Sequence, residues 1–245
     1  MRFVDSHLHI EGNDVASLFA FPPDNGNLLV VCGTDRATSE AALRLAGTYP
    51  ELVEAFVGVH PSEGPTIQDL IWVEKALERA AGAGEIGLDP KYSPTGPGSA
   101  QRTAFLAQLE SAQALKKPVQ VHSRNAEREC LEVLGGFTLK AVLMHWFQDE
   151  VTLQEVLGEG YFLSFGPSLL YSKKLQRMAA KCDPSQVLCE SDSPVAYAPL
   201  GGVHGSFLVP SVVFKLAEVW KKRFEDARET IVENSRRYLG FLEKG

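Results

Sequence analysis

The chain has 245 residues, close to the roughly 250 typical of an α/β barrel, so a single domain over 1–245 is sufficient. Hydrophobic residues at 44% and charged residues at 22% make a globular composition with a sizeable core, which excludes a disordered chain. A formal charge of −7 gives no long-range attraction for nucleic acid, so any phosphate-bearing substrate must be held by a local site or a metal.

The first segment, Met1-Arg2-Phe3-Val4-Asp5-Ser6-His7, has no apolar stretch suited to a signal peptide, and no later run is apolar enough to span a membrane. Short β-branched or apolar runs follow in order at 3–4, 28–32, 53–59, 85–88, 119–121, 139–144, 161–165 and 187–189. Amphipathic stretches separate them. Leu70, Val73, Leu77 and Ala80 form a helical stripe entered through Pro65 and Thr66, with Asp69 as a capping-box acid. Phe105, Leu109 and Ala112 repeat the spacing, as do Val213, Leu216 and Trp220 near the C-terminus. The Gly- and Pro-rich stretches at 94–99 and 199–205 read as loops that could border a site.

Strands alternating with helices imply a parallel sheet. Eight such units predict a closed (β/α)₈ TIM barrel. An open doubly wound sheet is the alternative, but no Walker-type loop supports it. Cys32, Cys130, Cys182 and Cys189 show neither CxxC spacing nor disulfide-scaffold density; they read as reduced and mostly buried, in a cytoplasmic protein.

The chemistry-bearing residues gather at strand ends. Asp5, His7 and His9 alternate through the end of the first strand, which predicts one shared face, and two imidazoles two residues apart can grip one metal. Taken alone, such a pair is better read as partly exposed, hydrogen-bonded histidines. His60 follows the third run, Glu85 opens the fourth, His122 and His145 end the fifth and sixth, and Asp192 follows the eighth. In an α/β barrel the C-terminal strand ends meet at one mouth, so these scattered positions become one constellation. Several imidazoles with two or three carboxylates suit zinc, manganese, iron or nickel better than calcium.

Six ordered segments then carry a resemblance: Asp5 to His9, Gly58-Val59-His60-Pro61, Gly84-Glu85-Ile86-Gly87-Leu88-Asp89, Val121-His122-Ser123-Arg124, Met144-His145-Trp146-Phe147 and Glu190-Ser191-Asp192-Ser193-Pro194. They resemble the TatD family of metal-dependent hydrolases over nearly the whole chain. The resemblance implies a barrel deoxyribonuclease with two divalent ions, for which zinc, manganese and magnesium are the candidates. It implies that His7, His9, Glu85 and Asp192 hold one ion, with Glu85 bridging to a second held by His122 and His145. Two bridged cations would lower the pKa of a shared water and stabilise charge on the attacked group. Asp192 could also accept the water's proton. His60 and Arg124 are candidates for holding a substrate anion, with a salt bridge as the other reading of Arg124. Glu190 is a reserve ligand candidate, and Asp89 is an outer support or a loop cap.

The match frays after the last strand, where many resembling proteins carry a basic Gly-Lys-Arg-Asn-like loop and this chain has Gly201-Gly202-Val203-His204-Gly205-Ser206. The leading expectation is a phosphodiesterase acting on DNA, with no membrane association and no obligate protein partner. The same site could serve an amidohydrolase-like esterase, lactonase or amidase on a small molecule. A barrel that keeps metal only for stability is the non-enzymatic alternative.

Overall fold

The computed structural model describes residues 3–10, 26–92 and 99–241. Eight parallel strands lie side by side in chain order: β1 (Val4–Leu8), β2 (Leu28–Cys32), β3 (Val53–Val57), β4 (Gly82–Gly87), β5 (Val119–His122), β6 (Val142–Met144), β7 (Phe162–Phe165) and β8 (Val187–Cys189). Helices α1 (Arg36–Thr48), α2 (Ile67–Leu77), α3 (Ser99–Ala114), α4 (Glu127–Leu134), α5 (Leu153–Gly158), α6 (Lys173–Lys181), α7 (Val209–Trp220) and α8 (Phe224–Leu239) run between and after them. The seam between β8 and β1 is tied by backbone hydrogen bonds from Asp192 to His7 (3.0 Å) and from His9 to Ser193 (2.7 Å). The Ser6 hydroxyl adds a bond to the Cys189 carbonyl at 2.8 Å. The result is a nearly closed single-domain (β/α)₈ barrel.

The strand period of two sorts side chains into an inner and an outer layer. On β2, Leu28, Val30 and Cys32 pack with Phe56, Leu143 and Leu188 inside the barrel, while Leu29 and Val31 join the larger cluster between sheet and helices. Tyr238 of α8 plugs the end opposite the site: its ring stacks on Phe56 and its hydroxyl donates to the Val119 carbonyl at 2.9 Å. The α2 capping box forms as the sequence predicts, with Thr66 and Asp69 bonding each other's backbone.

Several strands differ at their ends from the apolar runs. β4 begins at Gly82, before the run at 85–88, because small residues are needed there: a Cβ on Gly82 would lie 2.2 Å from the Phe56 ring. β3 stops at Val57, before 59. At β1 the parallel register shifts between Asp5 and Leu8, so the simple alternation of Asp5, His7 and His9 fails. Asp5 turns toward the β8 side, where it accepts from the Ser191 backbone (2.8 Å) and the Ser206 hydroxyl (2.6 Å).

The loop predicted at 94–99 falls outside the described residues, apart from Ser99 at the start of α3. All four cysteines are free and buried. Among the described residues no helix is long and apolar enough to cross a membrane.

Candidate metal centre

Five strands deliver six side chains to one point. His7 and His9 come from the end of β1, Glu85 from within β4, His122 from the last residue of β5, His145 from the residue after β6, and Asp192 from three residues beyond β8. Glu85, only 3% exposed, lies at the centre. Its Oε2 is 3.2 Å from His9 Nε2 and 3.7 Å from His7 Nε2. Its Oε1 is 2.5 Å from His122 Nδ1 and 2.7 Å from His145 Nε2. Asp192 Oδ1 completes the first side at 3.5 Å from His7 Nε2 and 3.6 Å from His9 Nε2. The two oxygens of one carboxylate thus face different imidazoles, while the His7 and His145 rings stack at 3.9 Å across the centre, and the donor atoms group as His7–Glu85–His145, His7–His9–Asp192 and His60–Glu85–His122.

The outward nitrogens show which atoms are free to ligate. His7 Nδ1 donates to Gln120 Oε1 at 2.5 Å, and the Gln120 amide is fixed by its own donation to the Ser6 carbonyl at 2.7 Å. His9 Nδ1 donates to the Cys32 carbonyl at 2.9 Å. His122 Nε2 donates to Asp89 Oδ2 at 2.8 Å. Each proton placed outward leaves a lone pair inward. His7 Nε2 and His9 Nε2 lie only 3.1 Å apart, an arrangement that repels unless a cation or a proton lies between them, and Glu85 and Asp192 raise the His9 pKa against its burial. The donor set therefore fits divalent ions with an imidazole preference.

Burial and mutual charge set the protonation of the cluster without metal. His7 is pushed well below its ordinary range by burial and by the neighbouring His145 and His9. Burial would raise Glu85, yet His145, His122 and His60 around it bring it well below the carboxylate range. Burial would lower His145, but Glu85 and Glu190 raise it well above the imidazole range. Asp192 is raised to about 7, chiefly by burial.

His60 sits at the rim, with Nε2 3.6 Å from Glu85 Oε1. Ser62 holds its Nδ1 through a backbone N–H at 3.0 Å and a hydroxyl at 2.7 Å. With Nδ1 accepting, the proton of the neutral ring is on Nε2, and burial lowers the pKa to about 4. Arg124 is bound to Asp89 at 2.6 Å, with its guanidinium 5.4 Å from the centre of the Tyr92 ring. The salt-bridge reading of Arg124 and its place beside the site both hold, because Asp89 links it directly to His122.

Gln120 and the Cys32 carbonyl were not foreseen from the sequence, although Gln120 lies two residues before His122 on the same strand and so shares its inward face. Glu190 stands behind His145, 3.7 Å from Nδ1, and does not join the cluster around Glu85. His204 lies apart from the six and contacts Ser193 Oγ at 3.4 Å.

The sequence matches the family described as TatD related DNase over residues 4–240. Deoxyribonuclease TATDN3 of Homo sapiens is 29% identical over 212 residues, covering 78% of this chain and 77% of that protein. An uncharacterized metal-dependent hydrolase of Bacillus subtilis, YabD, is 27% identical over 220 residues, covering 85% and 86%. Among solved structures, YJJV, a TatD homolog from Escherichia coli, superposes with a TM-score of 0.84 at 23% identity over 97% of both chains.

Proposed function

The chain belongs to the TatD-related DNase family of metal-dependent hydrolases, and on that premise we propose that it is a two-metal phosphodiesterase acting on DNA. The observation that carries this reading is the division of Glu85, whose Oε2 serves His7 and His9 while Oε1 serves His122 and His145. His7, His9, Asp192 and Glu85 would hold one divalent ion, and His122, His145 and Glu85 the other, with zinc, manganese and magnesium as candidates. When bound, such ions lower the pKa of a water and stabilise charge on the attacked phosphoryl group.

The chain's own groups do the rest. Asp192, 3.5 Å from His7 Nε2 and 3.6 Å from His9 Nε2, is placed to accept the water's proton. His60 offers its Nε2 proton to a phosphoryl oxygen. Arg124 brings positive charge to the rim while Asp89 holds its guanidinium in place. Gln120, the Cys32 carbonyl and Asp89 keep the ligand rings oriented, so the site is formed before substrate arrives. The four buried free thiols support a reducing, cytoplasmic setting.

One observation favours a second reading. The loop at 201–206 contains no lysine or arginine, so nothing there steers a polyanion, and a carboxyl ester, lactone or amide would suit the same centre. Release of nucleotides from end-labelled single-stranded DNA, with manganese or magnesium and a Glu85→Ala control, separates the two. Cutting by the wild type alone supports the nuclease; no cutting by either turns the search to esters, lactones and amides.

A further inference from the structure

A cavity of about 440 Å³ opens from the metal centre, with His122 and His145 on its inner wall and Lys174 at its outer edge. That volume lies in the range of small-ligand sites and suits one nucleotide unit rather than a length of strand. Trp146 and Gln148 reach it from the loop after β6, Asn125 from the loop after β5. The Trp146 backbone adopts a left-handed conformation (φ 41°), and its N–H is held by the Ser164 hydroxyl at 3.2 Å, so its position is fixed by the barrel.

The charges in the cavity are balanced but not equally free. Arg124 is engaged by Asp89. The Asp149 carboxylate is occupied by the Thr152 backbone (2.9 Å), the Thr152 hydroxyl (2.7 Å) and the Val151 backbone (3.2 Å). Lys174, exposed near the start of α6, has no hydrogen bond or ion pair among the described residues, though Asp149 feels its charge. Glu127 is the remaining acid on the wall. Two cations against two carboxylates do not make a track for a long polyanion, whereas a wall with one indole, two amides and one free ammonium matches a base, a sugar and a single phosphate.

We infer that this cavity seats the nucleotide adjoining the scissile phosphate, its base against Trp146 and its far phosphate at Lys174. The inference rests on the phosphodiesterase reading and specifies its substrate as a strand end or short oligonucleotide. Asn125 and Gln148 supply hydrogen bonds to the base edge or sugar.

The test compares kcat/KM for a deoxytrinucleotide, which carries two phosphates, with kcat/KM for methyl 4-nitrophenyl phosphate, which carries one. The ratio falls about tenfold in Lys174→Ala and recovers in Lys174→Arg, in line with loss of one charge-assisted contact. It falls similarly in Trp146→Ala and is largely kept in Trp146→Phe, in line with one stacked base. A ratio unchanged in both alanine variants overturns the subsite and leaves the phosphodiesterase standing. If the wild type hydrolyses neither diester, the phosphodiesterase reading fails, and calorimetric binding of deoxythymidine 5′-monophosphate decides the cavity. Binding weakened about tenfold by Lys174→Ala retains a nucleotide pocket; no binding to the wild type removes it.

Discussion

Glu190 lies behind His145 on the side away from Glu85: its Oε2 is 3.7 Å from His145 Nδ1, while His145 Nε2 reaches Glu85 Oε1 at 2.7 Å. Glu190 is fully buried, and its Oε2 accepts from the Ser164 hydroxyl at 2.6 Å. His145 Nδ1 and Glu190 Oε1 have no hydrogen-bond partner among the described residues. Closing the 3.7 Å gap to Oε2 would pair His145 Nδ1 with Glu190 and hold the His145 proton outward as Gln120, Cys32 and Asp89 do for the other rings.

Glu190→Leu, which removes the acceptor, therefore weakens metal binding at the His145 side by about 10- to 100-fold, the usual effect of losing an outer partner of a ligand histidine. Competition with a chelator measures it. Unchanged affinity for both ions would remove Glu190 from the metal centre.

Gln120→Leu keeps the side chain's bulk but strips His7 Nδ1 of its acceptor and Cys32 Sγ of its own (2.9 Å). Leaving a buried donor unpaired costs about 1–3 kcal/mol. Urea denaturation of the metal-free protein should show that loss, and the first equivalent of metal should bind more weakly. A variant as stable as the wild type would contradict the bond.

Asp5 gives a pH signature. Burial raises its pKa from 3.8 to about 6 against the lowering effect of its hydrogen bonds from Ser191 and Ser206. Between those values the folded chain holds a proton that the unfolded chain has released, so stability falls as pH rises from about 4 to 6. The difference corresponds to about 3 kcal/mol at most. Wild type should gain 1–3 kcal/mol relative to Asp5→Asn as pH drops from 7 to 4, read from urea transitions of the metal-free proteins at each pH. A pH-independent difference would mean that Asp5 keeps its ordinary pKa.

Much of this architecture is legible in the sequence, for identifiable reasons. Apolar runs such as Leu28–Cys32 have no partly buried alternative and are strands buried on both faces. Glycine-rich starts are harder: Gly82 and Ala83 have low strand propensity, and they join β4 through the close approach of Gly82 to Phe56 and their pairing with Phe56 and Val57 of β3. The ligand candidates were legible because histidines at strand ends have few other uses at a barrel mouth. Their supports were not, because a backbone carbonyl such as that of Cys32 leaves no mark in residue type. The Asp5 expectation failed because the register shift in β1 is a tertiary event.

The most direct measurement is the metal content of the purified protein after loading with manganese or zinc and removal of excess by gel filtration. Two ions per chain in the wild type, one in His122→Ala, and fewer than one in Glu85→Ala is the result expected if Glu85 joins two sites. One ion in the wild type, or two retained in Glu85→Ala, would contradict a bridging Glu85.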